Sequence, residues 1–181
     1  MGAIKIQIQK AVGEHDLGAS KFFGDPVLPS AWVDMFSDDV IFFAQLRLAD
    51  IAELDEENRL PHTGYMYFFI DTEMYPYQAL VYLYDGEPDT VIDGFNEVEP
   101  RFAHLNTDFL MSFEQADCDA DGIKLFGTPS SGVDAENGLL LQFDPLAADT
   151  GFLDDIDGYA YFFFGEDERN PDEISFVIDR S

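Results

Sequence analysis

The sequence predicts an α+β fold, a single strand-dominated domain made of two duplicated β-rich halves with short helices. Three observations lead there. The phrase GYMYFF at 64–69 returns as GYAYFF at 158–163. Other echoes keep the same order: KFFGDP at 21–26 is answered by KLFGTP at 124–129, and FFAQLRL at 42–48 by LLLQFDP at 139–145. Two further stretches carry apolar residues at helical spacing. Duplication explains the ordered echoes, because connecting loops accept length changes more readily than the elements they join. The halves are expected at about 16–98 and 117–181, with Gly24 on Gly127, Gln45 on Gln142 and Tyr65 on Tyr159.

Taken along the chain, KFFGDP is a turn signature, in which glycine allows an unusual backbone angle and proline removes a ladder donor. DVIFFAQLRL then reads as a strand, rich in aromatic and aliphatic residues and opened by Asp. In LADIAELDEENRLP, Leu48, Ile51 and Leu54 recur every three residues, which predicts a short helix ending before Pro61. GYMYFFI is apolar on both alternating faces, so it predicts a central strand buried on both sides, with Gly64 turning the chain into it. ALVYLY at 79–84 follows as a further apolar run. RFAHLNTDFLMSFEQA at 101–116 predicts a helix bridging the halves. The second half repeats the pattern with KLFGTP, the strand GLLLQF, the central strand GYAYFFF entered at Gly158, and ISFVI at 174–178.

Charge narrows the function classes. Nine Lys and Arg face 37 Asp and Glu, a formal net charge of −28. Such a surface repels phosphate backbones and anionic headgroups, so nucleic-acid and membrane-surface roles are not expected. It attracts cationic proteins, metal ions or basic small molecules, and it also serves solubility or adaptation to salt. Aromatic residues make up 15% of the chain, too many for a disordered acidic tail.

The single cysteine, Cys118, cannot form an internal disulfide, which fits a reducing compartment. The start MGAIKIQIQKAVGEHD has no long apolar stretch before Glu14 and Asp16, so no secretory signal is expected there. Ile6 stands where a myristoylation signal wants Ser or Thr. No apolar run approaches bilayer length, and a cytoplasmic location is expected.

The most chemical-looking stretch is Asp117-Cys118-Asp119-Ala120-Asp121-Gly122. Oxygens at alternate positions before a glycine resemble the start of a calcium loop, which makes Asp117, Asp119 and Asp121 candidate cation ligands. A full EF-hand needs a bidentate Glu at its twelfth position, and Thr128 stands there, so the alternatives are a weak non-EF calcium site and a solvated acidic turn. Cys118 sits among carboxylates, which oppose the thiolate a nucleophile needs. His15, His62 and His104 are far apart in sequence. No zinc-protease, Walker, dinucleotide-binding or nucleophile-elbow motif is present, and no catalytic residue or resident cofactor is predicted. The pairs Glu56-Glu57 and Asp154-Asp155 are uninformative in so acidic a chain.

Gln45 and Gln142 are amides inside apolar strands at matching repeat positions. A buried amide needs partners for its donors and acceptor. The favoured reading is that each pins its half to a neighbouring turn, such as the FG-x-P segment; the other is a ligand contact between halves. Trp32, the only tryptophan, reads as a lid on the core or, partly exposed, as an interface anchor.

These residues resemble the YwqG-like family, bacterial proteins largely of unknown function. In the first half the resemblance rests on Gly24, Pro26, Pro29, Trp32, Ala44, Gln45 and Leu46. In the second it rests on Leu125, Gly127, Pro129, Leu139, Leu140, Leu141, Gln142, Asp144, Gly158, Tyr161 and Phe162. It covers roughly residues 20–180 and is most specific toward the C-terminal half. The chain departs from the family in having Val33 after Trp32 and Thr128 before Pro129. The resemblance implies the strand-rich repeat but no activity, and some relatives resemble immunity proteins that neutralise toxins. The leading expectation is a non-enzymatic interaction protein that binds a cationic protein partner through an acidic face. The rivals are a hydrolase or small-molecule enzyme with its site between the halves, and a weak divalent-cation binder.

Overall fold

The computed structural model describes residues 2–148 and 159–179. Its organising element is a ten-stranded sheet. Nine-residue strands β1 (Gly2–Lys10) and β8 (Phe109–Asp117) pair antiparallel at its centre. The first half adds β2 (Lys21–Phe22), β4 (Val40–Arg47), β5 (Tyr65–Asp71) and β6 (Gln78–Tyr84). The second adds β9 (Lys124–Leu125), β10 (Leu139–Phe143), β11 (Ala160–Phe163) and β12 (Ser175–Ile178). Two short strands, β3 (Val27–Leu28) and β7 (Thr90–Val91), form a separate pair.

The order across the sheet is β12-β11-β10-β9-β1-β8-β2-β4-β5-β6. Each half therefore gives its leading strand to the other: β1 pairs with β9, and β8 pairs with β2. The registers match residue for residue. Lys21 faces Gln45 and Gln45 faces Tyr67, as Lys124 faces Gln142 and Gln142 faces Tyr161. Both Gln strands are irregular one turn of the pleat earlier, between Phe42 and Ala44 and between Leu139 and Leu141. Phe22 faces Phe109 while Leu125 faces Ile4, which makes Ile4 and Phe109 equivalent. A pseudo-twofold axis thus passes through the Gln7–Ser112 pair of the central ladder.

The sheet curls until its free edges, β6 and β12, come together, and the 3-10 turn Pro171–Glu173 packs on β6. The result is a nearly closed barrel filled by apolar side chains. Rings from both halves meet inside it: Phe22 and Phe43 lie 5.0 and 5.1 Å from Phe143, and Phe43 and Phe68 lie 5.3 and 5.0 Å from Phe162. The outer face of the first half is covered as well, by Trp32, Phe36, Ile92 and Phe95. A smaller cover over the second half includes Val133 and Ala135. Burial on both faces explains why β4, β5, β10 and β11 read as unbroken apolar runs rather than alternating ones.

The expected α+β class is overturned. Among the described residues no helix exceeds four residues; the α-helix is Pro145–Ala148, and the others are 3-10 turns. The helix expected after the first Gln strand is a 3-10 turn, Leu48–Ile51, with Leu54 N donating to Ile51 O at 3.0 Å. The three-residue spacing that suggested it is the 3-10 period, in which i and i+3 eclipse. The helix expected at 101–116 is the 3-10 turn Pro100–Phe102 followed by strand β8. Phe102, Leu105, Phe109 and Phe113 mimic a helical stripe, whereas Phe109, Met111 and Phe113 pack on the core at the two-residue period of a strand. Gly158, Asp154 and Asp155 lie outside the described residues.

Candidate functional site

Two matching frameworks, one in each half, are built around the FG turns. In each FG turn two successive residues take left-handed backbone angles, Phe23 and Gly24 (φ 57° and 75°) and Phe126 and Gly127 (φ 65° and 83°). A phenylalanine there is strained unless its surroundings hold it. Both rings are buried in the core, and Phe23 N and Phe126 N donate to Phe43 O and Leu140 O at 2.9 and 3.1 Å. Glycine is required next: a Cβ at Gly24 would strike Asp108, and one at Gly127 would strike Cys118 O.

Inside each turn lies a fully buried lysine. Lys21 Nζ donates to Asp25 O at 2.7 Å, and Lys124 Nζ donates to Thr128 O at 2.6 Å. Beside each lysine, the glutamine joins the turn to its approach. Gln45 Oε1 accepts from Val27 N, and its Nε2 donates to Leu17 O and Ala19 O. Gln142 Oε1 accepts from Ser130 N, and its Nε2 donates to Gly122 O and Ser130 Oγ. Both glutamines are fully buried, with polar groups satisfied by their own half. Neither lines the two cavities bordered by Arg59.

The halves diverge in how the lysine's charge is met. Lys21 Nζ lies 3.0 Å from Asp108 Oδ2, which also meets His15 Nε2 at 2.6 Å. His15 Nδ1 lies 2.9 Å from Gly13 O, so both ring nitrogens face acceptors and the imidazolium fits the site. The hydrogen bond to Asp108 is the main reason the His15 pKa is raised. Ala3 occupies the place equivalent to Asp108, and Lys124 instead donates to Cys118 O at 3.0 Å. Burial pushes the Lys124 pKa down.

A cleft opens between the halves, at the end of β1 where the chain enters the sheet, with a volume of about 250 Å³. Its first-half wall is a loop organised by one buried carboxylate. Asp55 Oδ1 accepts from Arg59 N at 3.0 Å, and Oδ2 accepts from Leu60 N and meets His62 Nε2 at 2.9 and 3.1 Å. Closing the loop on Asp55 leaves Glu56 and Glu57 exposed on the rim. The same closure sends Arg59 across to the second half. Its guanidinium stacks on Phe126 and Phe164, 5.0 and 4.7 Å from their centroids, and pairs with Glu168. The far wall is Gln115, Cys118 and the Phe126–Thr128 turn. With Arg59 neutralised by Glu168, the cleft presents carboxylates over an apolar floor.

The other expected residues fall elsewhere. Trp32 is half-buried and lies 5.5–5.7 Å from the rings of Tyr67, Tyr82 and Tyr84, as a lid on the first half's outer face. Asp117, the last residue of β8, and Asp119 and Asp121 in the turn that follows are all exposed. Among the described residues no group of three or more His, Cys, Asp or Glu side chains is placed to hold a metal ion. Sequence reasoning did not single out Lys21, Lys124, Asp108, Asp55 or Arg59. For the lysines a signal existed, since both echoed turns open with Lys.

No protein-family model and no curated protein matches the chain. Among the described residues no helix is long and apolar enough to cross a membrane.

Proposed function

We propose that this is a cytoplasmic, YwqG-like interaction protein, without catalytic activity, that captures a cationic protein partner in the manner of an immunity protein. The observation that carries this reading is the cleft between the halves, where Asp55, Glu56 and Glu57 border an apolar floor in a chain of net charge −28. A Lys or Arg side chain suits such a cleft, its aliphatic stem on the floor and its charge among the carboxylates. The wider negative field speeds encounter with a basic surface. Affinity capture from the native host at low and moderate salt tests the proposal. Recovery of one basic protein whose binding weakens with salt supports it, and no partner at any salt overturns it.

A hydrolase reading has one observation in its favour: Cys118 and the His62-paired Asp55 border the same cleft. Turnover of an ester or amide substrate panel, lost in both Cys118→Ala and His62→Ala, would establish it. No turnover by the wild type would end it.

A further inference from the structure

A second cavity, of about 290 Å³, lies where the barrel closes, on the other side of Arg59 from the acidic cleft. Its character is opposite. The floor is apolar, made by Met66 and Leu83 from the first half and Ile174 from the second. Among the described residues its mouth carries two guanidiniums, Arg59 and Arg169, and one carboxylate, Glu168. Nine cationic residues are spread over the whole chain, so two at one mouth are a local reversal of charge.

The two arginines are suited to different tasks. Arg59 rests against both Phe126 and Phe164, so its position costs a ligand little ordering. Glu168 Oε1 accepts from Arg59 Nε and Nη2, which leaves the Nη1 hydrogens without a hydrogen-bond partner among the described residues. Arg169 is exposed, and its guanidinium makes no ion pair among the described residues. A planar guanidinium pair recognises a carboxylate through matched N–H donors. The volume sits near the lower end of small-molecule pockets, about 300–1,000 Å³. Glu168 offsets Arg59, so Arg169 leaves the mouth with one net positive charge, and carboxylates more than about 8 Å away are largely screened at physiological salt.

We infer that this seam cavity binds a small amphipathic carboxylate, its apolar body on Met66, Leu83 and Ile174 and its carboxylate between Arg59 and Arg169. Because the floor draws on both halves, the ligand also bridges the closing edges of the barrel. The site is independent of partner capture at the acidic cleft.

The test uses octanoate as the probe, with octanol and octylammonium as controls, at physiological ionic strength. Methyl resonances of Met66, Leu83 and Ile174 are followed by NMR during titration of the full chain. The expected result is saturable shifts at these methyls with octanoate, and weaker binding of both controls. Arg169→Glu, a change at an exposed side chain, should weaken octanoate binding by about tenfold or more, with the spectrum of the free protein preserved. Absence of saturable shifts, shifts confined to other methyls, equal binding of the controls, or unchanged affinity in Arg169→Glu would each overturn the inference.

Discussion

Gln45 and Gln142 occupy the same place in the two halves of the barrel. Each accepts from the backbone N–H three residues beyond its FG glycine and donates to the carbonyl two residues before its buried lysine. The amides splice turn, approach segment and strand into one unit in each half. Replacing either with Ala leaves buried backbone groups unpaired, an expected loss of about 1–3 kcal/mol. Urea melts of Gln45→Ala and Gln142→Ala should both show lowered midpoints. Unchanged midpoints would remove the splice from the account.

The buried lysines should differ in what they tolerate. Lys21→Met leaves Asp108 with only His15 as counterion, an expected loss of about 3–5 kcal/mol. Lys124→Met strands carbonyls alone, with an expected loss of about 1–3 kcal/mol. Comparing the two midpoints is the check, and a larger loss at Lys124 would contradict the assignment of Asp108 as the decisive partner.

His15 sets a pH dependence of known sign. Its pKa is raised on folding, chiefly by the hydrogen bond to Asp108, with Gly13 O adding to the rise and Lys21 opposing it. Stability from this group is fully present below the unfolded imidazole value, about 6.5, and is lost as pH rises through the raised folded value. Stability measured from slightly acidic to mildly alkaline pH should fall with a slope that His15→Gln removes. An identical slope in the variant would show that other groups carry it.

Arg59 ties the Asp55 loop to the second half. Arg59→Ala removes two ring contacts and the pair with Glu168, with an expected loss of about 1–3 kcal/mol and faster proteolysis of residues 52–62. Lysine should not restore the loss, because it lacks the planar stacking surface. Full rescue by Arg59→Lys would reduce the contact to simple charge pairing.

Much of the strand framework was legible because its chemistry is local. The FG turns, the Gln strands and the Gly-aromatic strands announce themselves by repeated residues at repeated positions. The leading strands were harder. Ile4, Ile6 and Ile8 alternate with Lys5, Gln7 and Gln9, a plain strand pattern, yet their partner in β8 lies over a hundred residues away and β8 itself carries a helix-like stripe. The exchange of β1 and β8 between halves is a matter of topology, which residue spacing does not encode. The site was less legible still. Asp55 looks like one carboxylate among 37 until the loop closes on it, and Arg59 acquires its meaning from Phe126, Phe164 and Glu168.

On the proposed function, the acidic cleft, rather than net charge at large, captures a basic partner. Titration of a short poly-lysine peptide into three proteins separates the two. The first is the wild type, and the second carries Glu56→Lys and Glu57→Lys on the cleft rim. The third carries Glu14→Lys and Asp34→Lys, exposed positions outside the cleft that change net charge by the same amount. The rim variant should bind roughly tenfold more weakly than wild type, about 1.4 kcal/mol, while the third protein stays within about twofold. Equal weakening in both variants would contradict the claim, because the peptide would then be reading only the overall charge.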